Sequence, residues 1–245
     1  TKGAKEAKDS PGDGYTIFAV HDSIHSTFHT GVADVNSTDF QPICLVASTP
    51  SIITASPKTP WPDMKAMIAD AKARPGQITV GATLGSTSHF FPAIVEKAAG
   101  VKFKYVSYEG TAPRMNALLG SHIELAESNL TQKGKVDAGQ MKFLAIAADK
   151  RTPEAPNVPT LKEIGIDVIY AVNRGLLAIK GTPPDVMAKL EAACAAAAKE
   201  PAFAASMKDQ GTVVNYLNAK DYAEFLKNND VLNRDLAKDL GMLKR

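Results

Sequence analysis

Strand-like and helix-like patterns of apolar residues alternate along most of this chain. Runs in which apolar side chains alternate with polar ones, or fill a short unbroken stretch, predict β-strands. They fall at residues 15–20, 40–57 (broken at Thr49 and Pro50), 77–83, 101–108, 122–128, 139–150 and 168–179. Helical spacing is predicted at residues 61–76, 87–99, 110–120 and 182–211, and in the later part of 216–242.

The alternation of strands and helices predicts an α/β fold with largely parallel sheets flanked by helices, because parallel strands need a crossover connection between them. The segment at residues 61–76 shows how the core is predicted. Met64, Met67 and Ala71 fall on one stripe at helical spacing, which is typical of a helix packed against a core rather than of a binding surface.

Composition and net charge limit the classes of protein to which the chain can belong. The chain has 245 residues, of which 44% are hydrophobic and 22% charged, and a formal net charge of +2. These values are typical of a globular protein, and such a small net charge argues against a nucleic-acid-binding function. The longest apolar runs, at 143–148 and 175–179, are far too short to cross a bilayer.

The positions of the cysteines allow two interpretations, and so do the positions of the histidines. Cys44 and Cys194 both lie in apolar surroundings, so buried free thiols are predicted, with a disulfide as the alternative. His21, His25 and His29 are spaced by four residues and would share one face of a helix, as metal ligands can. Their segment lacks helical apolar periodicity, so histidines of a solvated loop are the favoured prediction, and no metal is expected.

The Gly- and hydroxyl-rich run VGATLGSTSHFF at residues 80–91 raises three possibilities. It can hold an anion at a helix N-terminus, carry a Ser/His catalytic pair, or be a capped turn. The second glycine of a nucleophile elbow is missing after Ser86, and the lysine of a phosphate-binding P-loop is also missing. An enzyme is therefore not predicted, and His89 is expected to be a bystander or a wall of the site.

Several polar turns follow predicted strands, where open α/β sheets bind their ligands. They are residues 21–23, 83–88, 108–111, 128–129 and 173–174. Any single turn is explained by helix capping alone, whereas several that converge would indicate a binding site. Arg174 interrupts an apolar run and either pairs within the protein or binds a ligand carboxylate, with a solvated surface arginine as the alternative. Glu109 precedes a predicted helix, where its negative charge stabilises the helix dipole. Accepting hydrogen bonds from a polar ligand and pairing with Arg174 are the alternatives for Glu109.

A family resemblance covers nearly the whole chain. It is carried, in order, by PGDGYTIFAV, ASTPSIITASP, KARPGQITVGATLGSTSHF, VSYEGTAPRMNALLGSHIEL, FLAIAADKRTPEAPNVPTLKEIG and GLLAIKGTPPDVMAKL. In these runs the chain resembles the extracytoplasmic solute-binding receptors of tripartite tricarboxylate transporters, the Bug-type receptors. The chain starts later than these receptors do, so their N-terminal strand and loop are expected to be absent either from the protein or only from this sequence. Glu109 stands where a basic residue is common in these receptors.

The resemblance implies a two-lobed fold of the periplasmic-binding-protein type and a binding protein rather than an enzyme. Lobe one would comprise residues 1–50 and 175–245, and lobe two residues 51–174. Hinge crossings would lie near 48–56 and 168–178, with one small carboxylate bound between the lobes. The protein would be a periplasmic monomer that needs no cofactor and hands its ligand to membrane transporter subunits. A sensor or interaction protein without a transport role, or a fragment unable to bind, is the alternative.

Ligand contacts are assigned on the same basis. Ser86, Thr87 and Ser88 would hold a carboxylate at a helix N-terminus, and Thr111 with the 110–112 backbone would act similarly. Arg174 would fix a second carboxylate. The remaining residues expected in the site are Ser23, Tyr108, Gly110, Ser128 and Asn129.

Overall fold

The computed structural model describes residues 2–245, so Thr1 of the predicted lobe one lies outside the described residues. The strands are β1 Ile17–His21, β2 Phe40–Pro50, β3 Ile52–Ala55, β4 Thr79–Ala82, β5 Lys104–Ser107, β6 Leu125–Ser128, β7 Lys142–Ile146, β8 Ala171–Ile179 and β9 Val213–Leu217. The α-helices are α1 Lys2–Lys8, α2 Ser23–His29, α3 Met64–Ala73, α4 Thr87–Ala99, α5 Thr111–Leu119, α6 Lys133–Asp137, α7 Pro184–Ala197, α8 Pro201–Asp209 and α9 Ala219–Asp239. Short 3-10 helices occupy Ser37–Asp39, Leu130–Gln132 and Lys162–Ile164.

The chain divides into two compact units. Unit 1 consists of the described residues up to Thr49 together with Val172–Arg245, and unit 2 is Pro50–Ala171. The chain passes from one unit to the other at 49/50 and at 171/172. The lobe boundaries and the hinge role expected for the segments around these positions stay predictions.

Unit 1 contains a four-stranded sheet in the order β1-β8-β2-β9. Alternate residues of its strands face two different cores. Leu45 and Leu177 pack with α1, α2 and α9, whereas Cys44 and Ala178 pack with α7 on the other face. The sheet is therefore covered by helices on both faces, as the unbroken apolar runs within β2 and β8 require.

Unit 2 contains a five-stranded sheet in the order β5-β4-β6-β3-β7. Helices α3 and α4 pack on one face, and α5 packs on the other. The predicted stripe on α3 is confirmed, since Met64, Met67 and Ala71 are all fully buried. Asp63 begins this helix by accepting a hydrogen bond from the backbone N–H of Ala66.

The α/β class with two sheets flanked by helices is confirmed, but the predicted strand direction is not. In unit 1, β1 pairs antiparallel with β8, and β2 pairs antiparallel with β9. In unit 2, β4 is parallel to β5 and β6, whereas β3 is antiparallel to β6 and β7. The parallel rule applies to strands joined by a crossover helix, and unit 1 pairs strands from two distant stretches of the chain instead.

The prediction of free thiols is wrong, because Cys44 and Cys194 form a disulfide that joins β2 to α7. The two cysteines are separated by 150 residues. Apolar surroundings predicted their burial correctly, but a contact between such distant residues leaves no local pattern.

The prediction of solvated loop histidines is also wrong for His25 and His29, whereas His21 is exposed at the end of β1. Residues 23–29 form α2, and His25 and His29 are buried. His25 Nδ1 and His29 Nε2 lie 3.0 and 2.9 Å from the same carboxylate oxygen of Asp230 on α9. A distant helix thus supplies the partner that the local sequence does not show. Within residues 2–245, no three His, Cys, Asp or Glu side chains are grouped so that they could hold a metal ion.

A membrane span needs a helix that is both long and apolar. Between residues 2 and 245, no helix combines the necessary length with the necessary apolar character.

Candidate functional site

Three of the predicted polar turns meet at one edge of the unit 2 sheet. Strands β5, β4 and β6 are neighbours and run parallel, so their carboxyl ends lie at the same edge. Residues 108–111 follow β5, residues 83–88 follow β4, and Ser128 and Asn129 stand at the end of β6. We call these three turns the carboxyl edge of unit 2. The convergence that would favour binding over simple capping is therefore present.

Thr83 ties two of these turns together. Its hydroxyl donates to the carbonyl oxygen of Tyr108 at 2.9 Å and accepts from the backbone N–H of Gly110 at 3.2 Å. The N–H of Tyr108 in turn donates to the carbonyl of Ala82 at 2.9 Å. These bonds fix the start of α4 relative to the start of α5. Thr83 was predicted to lie in a polar turn, but not to be a site residue.

The hydroxyl groups of Ser86 and Ser88 shape the turn that precedes α4. Ser86 Oγ donates to the carbonyl of Thr83 at 2.7 Å, and Ser88 Oγ accepts from the Thr83 N–H at 3.1 Å. The two hydroxyl oxygens are 2.9 Å apart. Since the Ser86 proton is directed to Thr83, Ser88 supplies the proton between them. Both hydroxyls have a structural task here, and their contact with a ligand stays a prediction.

The first turn of α4 presents backbone donors. The N–H groups of His89 and Phe90 both donate to the carbonyl of Ser86. The N–H groups of Thr87 and Ser88 stand before them, where a helix has no preceding turn of its own to accept their hydrogen bonds. The side chains of Thr87 and Ser88 are buried, so the turn is held firmly around these donors.

His89 accepts a hydrogen bond from the turn that precedes α4 and holds it in place. Its Nδ1 accepts a hydrogen bond from the N–H of Gly85 at 3.3 Å, and its ring packs edge-on against Tyr105 with centroids 4.5 Å apart. Burial lowers the pKa of His89, which favours the neutral ring that this bond needs. The bond to Gly85 gives His89 a positioning task in the turn.

The start of α5 is formed by a glycine in a conformation that other residues avoid. Gly110 precedes the helix with a φ of 99°, a region in which a side chain would be strained. Thr111 is the first helical residue and is exposed, as is Glu109, whereas Tyr108 is half-buried. The exposed N-terminus of α5 therefore lies beside that of α4.

Ser128 and Asn129 have more side-chain contacts within the protein than the sequence suggests. Ser128 is buried, and its hydroxyl lies 2.5 Å from that of Thr54 on β3. The side-chain oxygen of Asn129 accepts from the N–H and the hydroxyl of Thr131 at 3.0 and 2.6 Å, and so begins a 3-10 helix. Both residues stand at the carboxyl edge, and their predicted contact with a ligand remains a prediction.

The other two predicted site residues belong to unit 1. Arg174 on β8 stands opposite His21 on β1, and Ser23 lies close by because its hydroxyl is 3.3 Å from His21 Nε2. Arg174 is exposed, and its Nη1 donates to Thr49 Oγ1 at 2.5 Å and to the carbonyl of Val172 at 3.3 Å. Desolvation of its ring, helped by the Arg174 charge, lowers the pKa of His21.

Asp22 is a buried carboxylate that sequence reasoning missed in this part of unit 1. One of its oxygens accepts hydrogen bonds from the backbone N–H and the side-chain amide of Asn173, at 2.8 and 2.9 Å. Burial raises the pKa of Asp22 to about 6, against the effect of these hydrogen bonds. Asn173 also accepts from Ser48 at 2.6 Å, so Asp22 belongs to a connected polar network. The position of Asp22 after a strand was visible in the sequence, but its burial was not.

In α/β folds, helix N-termini that share a sheet edge are a common place for small ligands to bind. Residues 2–242 match the model of the tripartite tricarboxylate transporter family receptor, TctC, and the chain belongs to this family. The family consists of receptors rather than enzymes, and the resemblance noted in the sequence is confirmed.

Individual relatives agree with this assignment. The chain is 32% identical to the UPF0065 protein in the gbd 5' region of Cupriavidus necator, over 76% of this chain and 57% of that one. The solved structure of R. palustris Rpa4515 with adipate is 26% identical and has a TM-score of 0.88, over 98% of this chain and 82% of that one. The periplasmic binding protein BugD is 27% identical with a TM-score of 0.83, over 100% and 84%. The chain spans 57% to 62% of the length of the first three curated relatives it matches.

Proposed function

We propose that this protein is a solute-binding receptor that captures a small organic carboxylate at the carboxyl edge of unit 2. The observation that carries the proposal is the convergence of the α4 and α5 N-termini, which Thr83 ties together. Backbone N–H groups of Thr87, Ser88 and Thr111 are the proposed donors to the carboxylate.

The chemistry of this edge suits an anion. Helix N-termini combine unpaired N–H groups with the positive end of the helix dipole, which favours a negative group by about 0.3–1 kcal/mol per helix. A hydrogen bond to a charged acceptor adds about 1.5–3 kcal/mol. Since the R. palustris relative was solved with adipate, linear dicarboxylates such as succinate, glutarate and adipate are the first ligands to test.

Unit 1 is proposed to supply a carboxylate-binding group of its own in Arg174. The guanidinium is exposed on β8, beside His21 and Ser23, and its planar fork matches a carboxylate. This assignment predicts a preference for ligands with two carboxylates over those with one.

The proposed location is the periplasm, with membrane transporter subunits as the partner and a monomeric receptor. The Cys44–Cys194 disulfide supports an oxidising compartment, because such bonds persist mainly outside the reducing cytosol. BugD, described as a periplasmic binding protein, supports the same location by similarity.

A thermal-shift series with succinate, glutarate and adipate tests the proposal. Binding to the folded state raises the unfolding temperature progressively with ligand concentration. A shift that grows with at least one of the acids is the expected result. If none of them shifts the unfolding temperature even at millimolar excess, the proposed function is wrong.

Two variants at one position locate the site. Thr111→Pro removes a single N–H donor at a helix position that tolerates proline, and we expect it to weaken binding about tenfold. Thr111→Val keeps the N–H and serves as the matched control. Equal affinities of the two variants would contradict a backbone donor at the start of α5.

A further inference from the structure

A buried ion pair lies directly behind the carboxyl edge of unit 2. Arg114 on α5 is 3% exposed and Glu127 on β6 is 7% exposed. Arg114 Nη2 lies 3.1 Å from Glu127 Oε2 and 3.5 Å from the carbonyl oxygen of the same residue. Ser51 Oγ donates to the other carboxylate oxygen of Glu127 at 3.2 Å. One carboxylate thus joins a helix, a strand and the residue between β2 and β3.

Both members of this pair stand next to residues of the candidate site. Arg114 lies one helical turn after Thr111, and Glu127 immediately precedes Ser128. The aliphatic part of the Arg114 side chain also packs against β4 at Gly81. A Cβ placed on Gly81 would lie 3.1 Å from Arg114 Cγ. Arg114 therefore contacts both strands whose ends carry the other two turns of the edge.

The energetics of the pair argue against a role in stability alone. Moving two charges out of water costs free energy that their attraction barely returns, and well-packed apolar pairs are often as stable or more so. The Nε–H of Arg114 is buried and has no hydrogen-bond partner among residues 2–245, which is a further cost. The pair instead fixes the orientation of α5, because a guanidinium bonded to a carboxylate and a carbonyl holds its helix at a set angle.

We propose that the Arg114–Glu127 pair is a positioning device that fixes the first turn of α5 against the end of β6, and so sets ligand affinity at the carboxyl edge. The affinity part of this inference rests on the proposed function. The positioning part concerns the helix itself and is measurable without any ligand.

The test compares two neutralised ion pairs. Arg114→Met/Glu127→Gln removes the charges, and the side-chain amide introduced at position 127 keeps an acceptor for Ser51. Arg74→Met/Glu124→Gln is the matched control, because Arg74 Nη2 and Glu124 Oε1 form a 2.9 Å pair at the opposite end of β6. Amide hydrogen exchange is measured in residues 115–119 of α5, and adipate affinity is measured by calorimetry.

We expect exchange in α5 to rise about tenfold, and adipate affinity to fall about tenfold, in the Arg114/Glu127 variant only. Its unfolding temperature should fall no further than that of the control variant, since a neutral pair of similar volume often replaces a buried ion pair without loss. Unchanged exchange in α5, or equal changes in both variants, would overturn the proposal.

A second variant covers the case in which the first does not fold. Arg114→Lys keeps the buried charge but not the planar fork, and we expect about threefold faster exchange in α5. Wild-type exchange in Arg114→Lys would also overturn the proposal. If the wild-type protein binds no acid of the panel, the proposed function fails, and the exchange measurement still decides whether the pair positions α5.

Discussion

The hydroxyl of Thr83 donates a hydrogen bond to the carbonyl oxygen of Tyr108 across 2.9 Å. It joins the turn after β4 to the turn after β5, and the N–H of Gly110 completes the junction by donating to the same hydroxyl. One half-buried side chain therefore helps to set the distance between two helix N-termini, together with the N–H of Tyr108, which donates to the carbonyl of Ala82. The proposed carboxylate site depends on that distance.

Thr83→Val removes this junction with little change in shape. We expect adipate affinity to fall about tenfold, because two hydrogen bonds that place the donors are lost at about 0.5–1.5 kcal/mol each. Thr83→Ser keeps the hydroxyl and is the control, with affinity close to that of the wild type. Calorimetric titration of both variants measures the difference, and unchanged binding by Thr83→Val would refute the role given to Thr83.

The raised pKa of Asp22 predicts that the stability of the protein depends on pH. This pKa is raised to about 6 from the ordinary value of 3.8, so the folded protein holds this proton more tightly than the unfolded chain. The resulting stability is fully present below about pH 4 and is lost as the pH rises through 6. Asp22→Asn should therefore gain stability relative to the wild type over this range, by up to about 3 kcal/mol.

Urea denaturation at several pH values between 4 and 7 measures this change. Asp34→Asn, at an exposed position, is the control for the loss of one carboxylate. A difference between Asp22→Asn and the wild type that does not vary with pH would contradict the burial effect.

The Cys44–Cys194 disulfide is expected to stabilise unit 1. Cys44→Ala/Cys194→Ala should lower the free energy of unfolding by about 2–4 kcal/mol, since the bond closes a long loop in the unfolded chain. A reductant should lower the unfolding temperature of the wild type but not that of the double variant. Calorimetric scans with and without reductant test this, and equal sensitivity of the two proteins would show that the bond is not formed.

Arg174 is expected to discriminate between ligands. Arg174→Ala should weaken binding of adipate more than binding of hexanoate, which has the same chain length and a single carboxylate, by about tenfold. Arg234→Ala removes an exposed arginine paired with Asp235 on α9 and controls for net charge. Equal losses for the two ligands would exclude a carboxylate contact at Arg174.

Local signals predicted the elements well because their causes are local. Apolar spacing placed α3 and its buried methionines, and Gly100 ends α4 with a φ of 64°, in the left-handed region. The turns at the carboxyl edge were also predicted, because they follow strands directly. Their convergence required the parallel order of β4, β5 and β6, which the strand–helix alternation favours in that segment.

The errors all arose from contacts between distant parts of the chain. His25 is separated from Asp230 by 205 residues, and the two cysteines are separated by 150. Antiparallel pairing in unit 1 likewise joins strands on either side of unit 2. No pattern within a short window contains such pairs, so the burial of Asp22, whose partner Asn173 is 151 residues away, also escaped prediction. Arg114 and Glu127 are only 13 residues apart, but they lie on different elements, and their pairing depends on how α5 packs on β6.

The central claim is that backbone donors at the starts of α4 and α5 bind a carboxylate. A nuclear magnetic resonance titration of the isotope-labelled protein with adipate, succinate and glutarate tests it most directly. We predict that at least one acid produces saturable shifts that are largest for the amides of Thr87, Ser88 and Thr111, and that the first turn of α3, which Asp63 already caps, stays unshifted. Unshifted amides at the starts of α4 and α5 with all three acids, or equal shifts at α3, would contradict the claim.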